Sequence, residues 1–173
     1  MNKIEFLRDQ IIETRNFTNR LIGELPEEKW YLIPEGTDSN FAWQIGHLIA
    51  SQNFHLLIVI SGRNAKIAEH VQIDRYNRLC YGMGATHRSL STDLIPVNKL
   101  KADLEFVHQT AIDHLMTLAE EQLYDKLEPI PFKHPMADIK YEAISWSFKH
   151  EMWHCAEMED IKLRLGYPTK WMK

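Results

Sequence analysis

The run His150-Glu151-Met152-Trp153-His154 places two imidazoles four residues apart. On a helix they stand about 40° apart around the axis and about 6 Å along it, so both rings reach one ion. Neutral imidazole suits borderline transition metals, and a pair on one rigid helix needs only one or two more ligands from a neighbouring helix. Two other histidines compete for that role: His47, in Trp43-Gln44-Ile45-Gly46-His47-Leu48, and His55. They lie about 12 Å apart along a common helix and about 80° around it, so both do not easily serve the same ion. Gly46 beside His47 offers room for close approach of another helix. Glu157 follows His154 by three and returns to within about 20° of His150, either as a fourth ligand or as an acceptor that orients an imidazole. Glu151 is turned about 100° from His150, and Cys155 about 100° from His154, so both point aside.

The remaining histidines, His70, His87, His108, His114 and His134, read as ordinary core or surface residues. Trp30, Trp43, Trp146 and Trp153 read as core and helix-contact material rather than a cofactor box. His-Glu-x-x-His also matches the zinc-protease signature, in which the Glu is the general base. That reading is disfavoured here: no Gly-x-x-His extension follows, and the pattern contains no strands to hold a peptide.

The elements that must position these groups are helical. Ile4, Leu7, Ile11, Phe17 and Leu21 recur at helical spacing and predict a first helix over roughly residues 4–22. Asp38-Ser39-Asn40 supplies cap oxygens before Phe41, where a second helix begins and runs to Gly62. A short helix is expected near Ala65 to Leu79, then a loop interrupted by Gly82-Met83-Gly84. Leu100, Leu104, Val107, Ala111, Leu115 and Leu118 define a third long helix starting at Pro96 to Asn98. After Pro129, Pro131 and Pro135 a fourth runs from Tyr141 to the stop signal Gly166-Tyr167-Pro168. No window alternates as a half-buried strand would. The expected architecture is all-α, a four-helix bundle forming a single domain over 1–173, with a longer connection between the second and third helices.

Composition narrows the function classes. The 173 residues carry a formal net charge of -4 with no basic run, which argues against a nucleic-acid partner. The most apolar window falls short of the ~20 residues needed to cross a bilayer, so no membrane partner is expected. Glu5, Arg8 and Asp9 interrupt the opening residues, which excludes a signal-peptide pattern there, and the two cysteines, Cys80 and Cys155, read as reduced thiols dispensable for metal retention. The expected location is cytoplasmic.

With the second-helix Trp-x-x-x-His and the fourth-helix His-x-x-x-His in hand, the chain resembles the DinB-like family of small four-helix bundles. The resemblance extends to Leu25-Pro26-Glu27-Glu28-Lys29-Trp30, Phe41-Ala42-Trp43-Gln44-Ile45-Gly46-His47-Leu48, Tyr81-Gly82-Met83-Gly84 and Leu165-Gly166-Tyr167-Pro168. It implies a metal held by His47, His150 and His154, which resolves the competition with His55. Many relatives continue past the last histidine with x-Gly-Gln, where this chain has Cys155-Ala156-Glu157. Similar proteins include transferases and isomerases that use low-molecular-weight thiols. The resemblance therefore implies a metal-dependent enzyme acting on a small molecule, by thiol-dependent transfer or hydrolysis. The alternative is a non-catalytic metal- or ligand-binding bundle. The expected cofactor is one divalent transition metal, zinc or nickel ahead of iron or copper. A small-molecule substrate, a low-molecular-weight thiol and a second copy of the chain, forming a homodimer, are the expected partners.

Overall fold

The computed structural model describes residues 2–82 and 94–168; Met83, Gly84 and His87 lie outside the described residues. Helix α1 spans Lys3–Glu24 and opens on a capping box: Asn2 accepts from the Glu5 amide at 2.8 Å, and the Glu5 carboxylate accepts from the Asn2 amide at 3.0 Å. Helix α2 spans Phe41–Asn53, capped by Asn40 through the Trp43 amide at 2.8 Å. It runs on through a π-helical turn, Phe54–Ile58, and a last α turn, Val59–Ser61, before Gly62 turns the chain at φ 83°. The expected helix over 65–79 is divided. Helix α3 covers Ala65–His70, α4 covers Ile73–Tyr76, and a π-helical turn occupies Asn77–Tyr81. The division falls at Val71, which is buried and extended, so burial of one apolar side chain overrides continuation of the helix.

Helix α5 spans Val97–Leu115 and α6 spans Lys140–Arg164. The Glu142 carboxylate accepts from the Asp138 and Ile139 amides at the start of α6. At its end Tyr167 N–H reaches the Lys162 carbonyl at 2.8 Å and Gly166 sits at φ 88°, a Schellman stop. Among the described residues there are no strands, only an isolated bridge between Lys126 and Ile139. No helix among them is long and apolar enough to cross a membrane. The chain is all-α, with α2 packed on α5 and α6, and α1 packed on α6.

The apolar core draws Leu7, Ile11 and Leu21 from α1, Phe41, Ile45 and Ile49 from α2, Leu100 and Leu104 from α5, and Ile144 and Met158 from α6. Through it runs a polar network. Arg15, 1% exposed, donates to both Glu151 oxygens at 2.7 and 3.2 Å, to the Leu104 carbonyl at 3.0 Å and to Gln52 Oε1 at 3.0 Å. One guanidinium thus touches all four long helices. Thr18 donates to Glu151 at 2.7 Å, and the Gln52 amide donates to His108 Nδ1 at 3.2 Å. Burial alone raises the Glu151 carboxyl, but the guanidinium and the Thr18 hydroxyl outweigh it and hold it below its ordinary value.

Breaking this pair from one side should be costly. Arg15→Met leaves a buried carboxylate without its cation and should destabilise the protein by about 3–5 kcal/mol in urea denaturation, whereas Arg15→Met with Glu151→Leu should recover most of the loss. His108 supplies a second measurement. Burial, and then the Arg15 charge, push its imidazole down to about 4. The unfolded ring takes its proton near pH 6.5 and the folded one does not. Stability contributed by neutral His108 is therefore complete above pH 6.5 and lost between there and about pH 4. The slope should be up to about 1.4 kcal/mol per pH unit, and His108→Gln should flatten the urea-midpoint profile over that window relative to wild type.

Candidate metal centre

Helices α2 and α6 bring His47, His150 and His154 together, with one nitrogen of each ring within 4.8 Å of the others. His150 Nε2 lies 3.1 Å from His154 Nε2 and 3.4 Å from His47 Nε2. The ring partners on the opposite side decide what these nitrogens can do. His47 Nδ1 stands 2.7 Å from the Cys80 carbonyl oxygen. A carbonyl only accepts, so Nδ1 carries the proton and Nε2 presents a lone pair. His154 Nδ1 donates to Gln44 Oε1 at 2.5 Å, and the Glu157 carboxylate lies 3.2 Å from the same nitrogen. His154 Nε2 is therefore also a bare lone pair. His150 Nδ1 is buried without a hydrogen-bond partner.

Two lone pairs and a third nitrogen facing one another are poorly satisfied by protons, since His150 has one proton to give and two acceptors to give it to. A cation satisfies all three. Zinc–nitrogen bonds of about 2.0–2.1 Å at tetrahedral angles set ligand nitrogens about 3.3–3.4 Å apart, close to the two separations seen here. Burial, then the neighbouring rings of His154 and His47, push the His150 imidazole down to about 3, which keeps it neutral and able to coordinate. The residues present fit a divalent transition metal.

The Glu157 carboxylate lies 3.2 Å from His154 Nδ1, on the far side of that ring from the three converging nitrogens. Glu151 points aside into the core against Arg15, where it cannot act as the general base of a His-Glu-x-x-His protease. Cys80 and Cys155 are free and buried, and burial pushes both thiols up to about 12. Trp30 and Trp43 are core residues, whereas Trp153 is 61% exposed on the outer flank of α6. A cavity of about 360 Å³ opens there, lined by Asp38, Ser39, Gln44, Trp153 and Glu157 among others. Gln44 and Glu157 thus face both the cavity and His154.

A family model described as the DinB superfamily matches residues 10–158. The chain belongs to the DinB superfamily. A comparison with curated proteins finds no match. Superfamily membership and the histidine cluster together make this a bundle equipped to hold a metal.

Three groups beside the histidines carry weak sequence signals or none. Gln44 stands three residues before His47, hence on the same face of α2, and that spacing was a usable signal. The Cys80 carbonyl had none, because a backbone acceptor has no sequence signature. His134, in a connector with no helical register to place it, is 3% exposed and its Nε2 meets His55 Nδ1 at 2.9 Å. His55 is buried against His134 and stands edge-on 5.7 Å from His150, closer to the centre than uniform helical rotation suggested. The π-helical turn that begins at Phe54 departs from that rotation. Burial, then the adjacent His150 ring, hold its imidazole well below the ordinary value, and burial raises the Tyr81 phenol.

Gly46 explains how the Cys80 carbonyl reaches His47. A Cβ at Gly46 would meet Cys80 Sγ at 2.6 Å and Cys80 Cβ at 3.4 Å. Gly46→Ala should therefore cost about 1–3 kcal/mol despite alanine's better helix propensity, and should weaken metal retention by shifting the Cys80 backbone. Adding Cys80→Ala removes the 2.6 Å contact and should restore both thermal midpoint and metal content toward wild type.

Proposed function

We propose that the chain is a metal-dependent enzyme in which His47, His150 and His154 hold one divalent ion that acts on a small molecule, by transfer of a low-molecular-weight thiol or by hydrolysis. The observation that carries this reading is the pair of Nε2 lone pairs, on His47 and His154, aimed at one point by the Cys80 carbonyl and the Gln44 amide oxygen. A divalent ion bound there lowers the pKa of a coordinated water or thiol toward neutrality.

The chain's own groups support such a role in separate ways. The Cys80 carbonyl and Gln44 hold two rings in the tautomer a metal requires before any metal arrives, which lowers the cost of ordering them. Gln44 is itself fixed, because its amide nitrogen donates to Ser39 Oγ at 2.9 Å and so leaves the amide oxygen for His154. Glu157 places a carboxylate beside His154 Nδ1–H, where it stabilises positive charge drawn into the ring when Nε2 gives up electron density. The cavity beside Gln44 and Trp153 has the volume of a small organic molecule rather than of a polymer. Its wall carries Asp38, Glu157 and Asp160, so it favours neutral or cationic substrates over polyanions.

Coordination by two helices makes the three histidines one unit. His47→Ala should reduce zinc or nickel content after dialysis as severely as His150→Ala or His154→Ala, and His55→Ala should leave it near wild type. Metal bound only by the native state should also raise stability, by about 2.7 kcal/mol at a hundredfold excess over Kd, and the same three variants should lose that increment. Retention of metal by His47→Ala with loss in His55→Ala would overturn the ligand assignment. Catalysis is separated from storage by assaying the loaded protein with a panel of thiols and small electrophiles, where turnover abolished by His47→Ala is the expected result.

A further inference from the structure

A second set of polar rings, which plays no part in holding the triad, lies against it. His134 comes from the connector before α6, His55 from the π-helical turn after α2, and Tyr81 from the end of the turn after α4. Their hydrogen bonds have a direction. The Met136 amide, which can only donate, stands 3.1 Å from His134 Nδ1. His134 therefore accepts at Nδ1 and, as a neutral ring, carries its proton on Nε2. That Nε2–H faces His55 Nδ1 at 2.9 Å, so His55 accepts at Nδ1 and carries its own proton on Nε2. His55 Nε2 in turn faces the Tyr81 oxygen at 3.5 Å, at the outer edge of a hydrogen bond. The oxygen is then the acceptor in that contact, and the Tyr81 proton is left to point elsewhere.

The ring that carries that proton lies against the triad. The Tyr81 ring packs against His47 with centroids 5.1 Å apart, and His55 stands 5.7 Å from His150. Phe54 stacks on His134 at 5.5 Å with an interplanar angle of 5° and covers one face of that ring. Both His55 and His134 are buried, so water does not compete for the intervening hydrogen bond.

We infer that His134, His55 and Tyr81 form a hydrogen-bond chain of fixed polarity that presents the Tyr81 hydroxyl, as a donor, to an anionic ligand atom held at the triad, such as a thiolate sulfur or an oxyanion. The inference rests on the reading of the triad as a metal centre. Tyr81 is the ligand-selecting residue in it, and His55 and His134 are positioning residues that decide which way its proton faces. Anions should be bound more tightly than neutral ligands of the same size, because only they gain the charge-assisted hydrogen bond.

The test uses the full chain loaded with cobalt(II), whose visible absorption reports ligands entering the coordination sphere, titrated with azide and with 2-mercaptoethanol. Tyr81→Phe should keep one cobalt per chain but weaken azide and thiolate binding about tenfold or more. His134→Leu, which can neither accept from Met136 nor donate to His55, should weaken binding in the same direction. His134→Gln, which can do both, should stay within about twofold of wild type. Proton–nitrogen correlation spectra of the zinc-loaded protein should show His55 and His134 both protonated at Nε2. Unchanged azide affinity in Tyr81→Phe, absence of azide binding to the wild type, or a His55 protonated at Nδ1 would overturn the chain and leave the metal reading intact. Failure of the wild type to take up cobalt at all would overturn both.

Discussion

Burying a guanidinium at the middle of a helical bundle obliges every neighbouring helix to meet it with an acceptor. Arg15 finds Glu151 on α6, Gln52 on α2 and the Leu104 carbonyl on α5. A methylene of slip in any helix would leave a charged N–H without a partner in a low-dielectric core, where the cost is several kcal/mol. The ion pair is weak evidence of net stability, but it is strong evidence of register. Glu151 must face inward, and His150 and His154 on the same helix are then carried toward α2. Gln52 sets the rotation of α2 in the same way, and with it the direction of His47. The two helices that supply the triad are therefore clocked against each other by one side chain of a third.

Hydrogen bonds behind the rings complete what helix rotation begins. An imidazole brought to the right place can still present a proton where a lone pair is needed, and the choice belongs to the atom at its back. His47 is settled by a backbone carbonyl in the last turn of a π-helical segment, where carbonyls lack intrahelical partners. His154 is settled by an amide held in turn by Ser39, in the residues that lead into α2. Each supporting group comes from a different part of the chain from the ring it supports. The centre is consequently a property of the folded bundle and not of either ligand helix. Gly46 belongs to the same arrangement, since the absence of its side chain is what admits Cys80 to the flank of α2.

The cavity beside Gln44 and Trp153 and the ring chain through His55 approach the triad through different residues. One is open to solvent and carries carboxylates, and the other is buried and carries a single orientable hydroxyl. Gln44 and Glu157 line the cavity and contact His154 from behind, while the Tyr81 ring packs against His47.

What the amino-acid sequence determined by itself is the part governed by short-range periodicity. The spacing of Ile4, Leu7 and Ile11 marks α1, Asn40 before Phe41 marks the start of α2, and Gly166 before Tyr167 marks the stop of α6. Four-residue spacing puts His150 and His154 on one face, because helical geometry makes neighbours of such residues wherever the helix is placed. Tertiary structure alone decided the rest. The break at Val71, the inward turn of Glu151, the exposed position of Trp153 and the meeting of His55 with His134 each depend on what another segment brings to the contact. The physical reason is common to them all. A helix records its own face in its sequence, but which face meets which partner, and which nitrogen of a ring keeps its proton, is settled by groups distant in the chain that become neighbours only when the core closes.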